Sequence, residues 1–187
     1  LHCAADAEGW VHDPVRIDRA LRLSARPMPN HSWIEQGHGF VSVPAAFDAL
    51  GHLHQAGFQD QLYTVRVSNP FGVGAGVYLR GVATGRPMDV NVNLTPLFDD
   101  ETNNATQASF LRTFRPVPEA DWIQAPDIFY SSAHGQNFKL RLNTGDLEPG
   151  LYSTRVLIYD VDQPHDFGPE VVLPVTVIIP DQTTSLS

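Results

Sequence analysis

The spacing of apolar residues changes once along this chain, and the change limits what the chain can fold into. Up to about residue 58 they recur at helical intervals; from Leu62 onward they recur at every second position. Side chains return to the same side about every 3.6 residues in a helix and about every 2 in a strand, so one kind of element cannot serve both stretches. The spacing predicts a helical segment followed by a β domain.

In the first stretch, Asp13-Pro14 reads as a helix start. The Asp can cap free N–H groups, and Pro suits the first helical position. We expect a helix from Pro14 to about Arg26, with Ile17, Ala20, Leu21 and Ser24 on one side and Arg16, Arg19 and Arg22 pointing elsewhere. Pro27 and Pro29 stop it. A second helix is expected from Pro44, capped by Ser42 or Val43 and closed by Gly57. Val43, Phe47, Leu50 and His54 share its apolar side. Helices this short are marginal alone, and this stretch shows few strong core anchors of its own.

In the second stretch the alternation is plain. Met88, Val90, Val92 and Leu94 alternate with Asp89, Asn91, Asn93 and Thr95. Tyr63–Val67, Phe138–Leu142 and Tyr152–Ile158 behave alike, and Val77–Ala83, Ser109–Phe114 and Ile128–Tyr130 add shorter candidates. Val171–Ile179 is apolar at both parities in places, with Pro174 expected at an edge or bulge. In LEPGLYSTRVLIYD a Pro-Gly turn feeds a strand whose first inward residue is Tyr152. The expected fold is mainly β: an antiparallel sandwich of immunoglobulin-like type over 59–182, with a helical part at 1–58 before it and a tail at 183–187.

Composition narrows the functional classes. A formal charge of −9 excludes non-specific nucleic-acid binding, which depends on Lys and Arg neutralising phosphates. Cys3 is the single cysteine, so no internal disulfide can form, which fits a cytoplasmic setting. No apolar run approaches the ~20 residues that span a bilayer, so no membrane partner is expected. The chain begins at Leu1 without a signal-like segment, and we expect a fragment or a processed product. Asn30, Asn93 and Asn104 each open a glycosylation-type triplet, which matters only for a secreted protein.

Candidate chemistry is sparse. His38 stands between Gly37 and Gly39, but no serine sits in a recognisable nucleophile turn, so we read the three as a tight structural turn. Asp160, Asp162, His165, Asp166 and Glu170 are dense enough to suggest Ca²⁺ or Zn²⁺, yet match no ordered ligand loop and read as a hairpin loop. Asp99-Asp100-Glu101 reads as a loop. His52 and His54 are two apart on a helix and face different ways. Trp33 and Trp122 could stack on a sugar, but rings of that size more often fill a core or a seam. We therefore expect no catalytic, metal or cofactor residue, and structural roles for Ile17, Ala20, Leu21, Gly37, His38, Gly39, Phe47, Leu50, Trp122 and Tyr152. The alternative is a carbohydrate- or protein-binding sandwich module.

VRIDRALRLSARPMPN and WIEQGHGFVSVPAAFDAL resemble the end of a subtilisin-type catalytic domain: a helix, a Gly-x-Gly turn and a final helix. Gln36–Gly39, Ala46–Leu50, Val77–Arg80, Asp121–Pro126, Gly150–Asp160 and Leu173–Thr176 together resemble, in order, motifs of the tripeptidyl peptidase II family. The resemblance implies a parent serine exopeptidase, cytosolic and homo-oligomeric, that removes tripeptides from free N-termini of oligopeptides. The family's Asp, His and Ser motifs all lie before the segment that resembles Val15–Ala25, so none maps onto this chain, and His38 is not the family's catalytic histidine. The resemblance further implies that the chain's partners are the rest of the parent peptidase and that Ile17, Ala20 and Leu21 buttress the nucleophile helix.

Overall fold

In the computed structural model, residues 1–10, 12–57, 60–70, 72–81, 86–163 and 167–181 are described. The chain divides into two compact units: Leu1–Leu62 with Asp166–Gly168, and Tyr63–His165 with Pro169–Ser187. The helical unit thus runs to Leu62 rather than to 58, and it takes in a piece of the last strand-to-strand connection. The tail at 183–187 and Ala83, the expected end of one strand, lie outside the described residues.

The helical unit contains α1 (His2–Ala7), α2 (Pro14–Ser24), α3 (Trp33–Gln36) and α4 (Val43–Gln55). Asp13 caps α2, accepting from the Arg16 N–H at 2.8 Å. The helix stops short of Arg26 because Ala25 is already extended, at φ −68° and ψ 138°. α4 begins at Val43, where Ser42 Oγ accepts from Ala45 N at 3.4 Å. Gly57, at φ 61°, lies just beyond its end.

This unit has a core of its own, contrary to the expectation of few anchors. Ala5, Ile17, Ala20, Leu50 and Leu53 are buried together, with Trp10, Leu21, Leu23 and Phe167 packed against them. Two of those contributions come from outside the helical stripes. Trp10 stacks on Phe47 at 4.8 Å. A Cβ on Gly51 would meet its ring at 2.8 Å, so glycine lets the indole lie on α4. Phe167 arrives from the far end of the sequence. Its carbonyl accepts from Arg19 Nη1 at 3.1 Å. Arg19 was expected to point away, yet it is 3% exposed. Its head is held there by Phe167 O and by Asp60, whose Oδ1 lies 3.9 Å from Nε, so the long arginine stem can lie buried.

The sandwich unit holds β1 (Leu62–Asn69), β2 (Gly72–Gly74), β3 (Val77–Arg80), β4 (Met88–Leu97), α5 (Asn104–Ser109), β5 (Leu111–Pro118), β6 (Ile123–Gln124), β7 (Phe129–Ser132), β8 (Gln136–Leu142), β9 (Gly150–Asp160) and β10 (Val171–Ile179). They form two five-stranded sheets, in the order β2-β1-β4-β8-β6 and β3-β10-β9-β5-β7. The alternation read from the sequence is the burial pattern seen: Val90, Val92 and Leu94 point in, as do Phe138, Leu140 and Leu142, and Val156 and Ile158. Aromatic rings link the two inner faces. Phe114 and Phe129 belong to one sheet, Tyr63 and Phe138 to the other. Tyr63 meets Phe114 at 5.4 Å, Phe114 meets Phe129 at 5.3 Å, and Phe129 meets Phe138 at 4.4 Å.

Three details differ from expectation. Ser109, the expected start of a strand, instead ends α5, a helix over Asn104–Ser109 that Asn103 caps by accepting from Thr106 N at 2.8 Å. The following strand starts at Leu111. Finally, the sandwich is not wholly antiparallel: β3 pairs in parallel with β10, Val77 opposite Val175.

The prolines inside strands follow from which side each residue's backbone faces. Val161 N donates to Thr113 O, and Glu119 N donates to Arg155 O. The odd-numbered residues of β5 therefore bond to β9, and the even-numbered ones face the other way. On that side β7 reaches no further than Phe114. Pro116 and Pro118 thus put their missing N–H groups along an unpaired edge, which blunts it against strand addition. By the same alternation Pro174 faces β3, whose pairing begins one residue later, at Val175. Gly76 leaves room there, since a Cβ on it would fall 2.7 Å from the proline ring.

Replacing Pro116 and Pro118 together by valine supplies two donors to that edge. The double variant is expected to self-associate at lower concentration than the parent chain, with unfolding free energy changed by less than about 1 kcal/mol. Sedimentation velocity over a concentration series checks this; unchanged association would mean the edge is protected by something else.

Candidate functional site

The Gly-His-Gly turn sits on a short, heavily braced helix. Ser32 and Glu35 form a capping box: Ser32 N and Oγ donate to Glu35 Oε2 at 2.7 and 2.8 Å. Those bonds, the backbone one foremost, hold the Glu35 carboxyl below its ordinary range. Gln36 Nε2 donates to His31 O at 2.7 Å and ties the preceding loop down. Gly37 and Gly39 then take φ values of 59° and 103°, where side chains are strained. At Gly39 the need is doubled, because a Cβ would lie 2.7 Å from the Arg26 carbonyl carbon. That close approach lets Arg26 and Phe40 exchange hydrogen bonds of 2.9 and 2.8 Å. The His38 ring meets the edge of Trp33 at 4.9 Å.

The turn leaves apolar groups in water. Phe40 is 70% exposed, Val43 58% and Ile34 53%, with Val41 also exposed. Four large apolar side chains within ten residues of sequence make a surface suited to docking, not to chemistry.

The unit's charged cluster lies elsewhere. Asp60 Oδ2 accepts from Arg16 Nε at 2.6 Å, and Arg19 Nε stands 3.9 Å from Oδ1. Burial raises the Asp60 carboxyl above its ordinary range; Arg16 and Arg19 pull it down without overcoming that, and Asp13 adds to the rise.

The other singled-out residues fall as follows. Ile17, Ala20 and Leu50 are buried in the helical core, Leu21 packs against it, and Phe47 lies under Trp10. Ile17 and Ala20 are thus committed inside their own unit and leave no surface to buttress another helix. Trp122 packs on the sandwich core, its ring 6.4 Å from Tyr152. Tyr152 Oη donates back to Glu148 O at 2.9 Å, pinning the Pro-Gly turn before β9. Asp160 is buried; Oδ1 accepts from Asp162 N at 2.9 Å, and Oδ2 lies 3.8 Å from Arg112. His165 and Asp166 lie outside the described residues. Asp99, Asp100 and Glu101 precede α5. His52 is exposed, while His54 lies 6.1 Å from Trp10. Among the described residues no three His, Cys, Asp or Glu side chains are placed to hold a metal. Arg19, Asp60, Trp10 and Gly51 were missed from the sequence, since each depends on a partner that local periodicity does not reveal. Asn69 was missed too: it donates to Gly76 O and accepts from Tyr78 N, bracing the loop into β3.

Two sheets joined face to face, with a tyrosine pinning its own turn by a bond to the backbone a few residues upstream, define an immunoglobulin-like β domain. Within that class the chain belongs to the tripeptidyl-peptidase II family: the family model "Tripeptidyl-peptidase II, first Ig-like domain" matches residues 62–178. It is 27% identical to Tripeptidyl-peptidase 2 of Drosophila melanogaster over 171 residues, covering 90% of this chain and 12% of that protein. It is 25% identical to Tripeptidyl-peptidase 2 of Caenorhabditis elegans over 174 residues, covering 90% of this chain and 13% of that protein. The crystal structure of Tripeptidyl Peptidase 2 (TPP II) superposes with a TM-score of 0.82 at 26% identity, over 97% of this chain and 15% of that one. The chain therefore spans about an eighth of the length of these curated relatives.

Two expectations follow. Gly39→Ala should cost about 3 kcal/mol, because strain and a backbone collision add, while Gly9→Ala, with φ 67° but open space around it, should cost about 1. Urea unfolding of the two variants checks this, and equal losses would remove the collision at Arg26 from the account. For Asp60, the folded state holds the proton more tightly than the unfolded state. The contribution of Asp60 to stability is therefore fullest at low pH and falls as pH rises from the ordinary aspartate range through the raised value, then levels. Asp60→Asn should flatten that slope and cost about 1–3 kcal/mol at neutral pH, because the bond from Arg16 Nε loses its charged acceptor. Unfolding curves taken from pH 3.5 to 8, in roughly half-unit steps, would expose an unchanged slope.

Proposed function

We propose that this chain is a non-catalytic portion of a subtilisin-like serine tripeptidyl peptidase, which releases tripeptides from the free N-termini of oligopeptides in the cytoplasm. The observation that carries the reading is the reach of the likeness. The family match begins at residue 62, yet the superposition on the TPP II crystal structure takes in 97% of the chain, helical unit included. A stand-alone binding module would have no reason to share that extension.

In this reading the chain supplies no member of the Asp/His/Ser triad. Acyl transfer takes place on the parent's serine, activated by its histidine, with donors holding the oxyanion. The helical unit completes the catalytic domain, docking through Ile34, Phe40, Val41 and Val43 rather than through Ile17 and Ala20. The sandwich sets the position of that domain and supports assembly into a homo-oligomer.

The test uses the full-length parent and a chromogenic tripeptide amide. Phe40→Asp with Val43→Asp should lower kcat/KM about tenfold or more, equivalent to ~1.4 kcal/mol of lost transition-state stabilisation. The 187-residue chain by itself should show no turnover. Turnover by the chain alone, or a parent that cleaves no tripeptide, would sink the proposal.

A further inference from the structure

The two outer faces of the sandwich have opposite chemistry. On the sheet that contains β4 and β8, the outward pairs are Asp89 with Arg141, Asn91 with Lys139 and Asn93 with Asn137. Asn93 Nδ2 donates to Asn137 Oδ1 at 3.0 Å and Thr95 Oγ1 donates to Asn93 Oδ1 at 2.8 Å, so that surface is a hydrogen-bonded polar layer made for water.

The sheet that contains β9 and β10 is different. Val172 lies opposite Leu157, and Leu157 opposite Val117, which makes one unbroken apolar row across three strands. Ile178 opposite Leu151 makes a second. None of these five points into the core, whose β10 members are Val171, Leu173, Val175, Val177 and Ile179. Leu151 is 63% exposed and Val117 38%.

Between and beside the rows stand Arg80, Arg115 and Arg155; Glu119 is hydrogen-bonded to Arg155, and Asp127 shares a cleft with Arg115 and Val117. The face is thus apolar and cationic on a chain whose net charge is −9. The 36 residues of these five strands, at a rise of about 3.3 Å and a spacing of about 4.8 Å, give a face of roughly 570 Å². One side of a standard protein–protein interface buries roughly 800 Å².

From this we infer that the outer face of the β3-β10-β9-β5-β7 sheet is the seat of another domain of the same polypeptide, one presenting an apolar ridge flanked by carboxylates. The inference rests on the chain being part of a longer peptidase. Two features select this occupant. The relatives extend far beyond the matched segment, of which this chain makes 12–13% of their length, so covering material is at hand within one polypeptide. A second copy seated symmetrically on the same face would set Arg80, Arg115 and Arg155 against their own images, an excess of like charge over Glu119 and Asp127 that disfavours the pairing.

The test is site-resolved maleimide labelling of the full-length peptidase in a Cys3→Ser background. Leu151→Cys and Val117→Cys probe the face, and Asn91→Cys the opposite one. Both face positions stand exposed on the sandwich, Leu151 at 63% and Val117 at 38%. The expected result is labelling of both slower than Asn91→Cys by on the order of tenfold or more, at every protein concentration. Two variants guard against one that misfolds. Equal rates at the three sites would overturn the inference, and so would shielding that vanishes on dilution, since that marks a second copy. Tripeptide release measured on the same samples separates the two claims: loss of activity in the unaltered parent refutes the peptidase reading, whatever the labelling shows.

Discussion

The contact on which the sandwich depends is the ring stack between its two inner faces. Tyr63, Phe114, Phe129 and Phe138 come from β1, β5, β7 and β8, two from each sheet, so the stack holds the sheets together as well as filling space. Phe114 touches both neighbours and is fully buried. Offset and edge-on rings add roughly 0.5–1.5 kcal/mol per pair beyond the area they bury. The stack also fixes register. A slip of one residue in any of the four strands would send its ring to water and an outward residue into the core.

Around that centre the fold places its exceptions where the backbone tolerates them. Pro116, Pro118 and Pro174 each face a side with no strand to bond. Gly39, Gly76 and Gly168 each stand where a Cβ would strike a neighbour: Arg26, Pro174 and Leu23 respectively. Two of those contacts, Gly39 with Arg26 and Gly168 with Leu23, join segments distant in sequence within the helical unit. Gly168 lets the segment that carries Phe167 lie against Leu23, and both of those side chains pack on the core of the helical unit.

How much was legible follows from the range of each interaction. Caps at Asp13 and Ser42 and the alternation in β4 and β8 depend on residues a few positions apart, and the sequence displays them directly. The Gly37-His38-Gly39 turn could be read as a turn; its reason, the Arg26 backbone, could not. α5 was hidden because Asn103, its cap, is equally a loop residue. Arg19 looked like a solvent-facing charge because its partner Asp60 and the carbonyl of Phe167 are 41 and 148 positions away. The parallel β3–β10 pair has no local signature at all. The catalytic chemistry of the family was not legible from any side chain here; it entered through ordered motifs spread over the chain.

One further sign was present in the sequence and is explained by the two outer faces. Val171–Ile179 is apolar at both parities, whereas Met88–Leu94 alternates cleanly. In a two-layer sandwich each sheet has one face on the core, so a strand needs one apolar parity. A strand apolar at both parities belongs to a sheet covered on both sides, as strands of buried parallel sheets are. β4 and β8 meet the two-layer requirement and stop there. β10, with Val172 and Ile178 at its outward positions, goes past it, and Leu157, Leu151 and Val117 on the adjoining strands do the same. Solubility selects against such a face when it stays exposed, so its composition is that of a middle layer. The alternation that identifies a sandwich, and its breakdown in these strands, are two readings of the same physical rule.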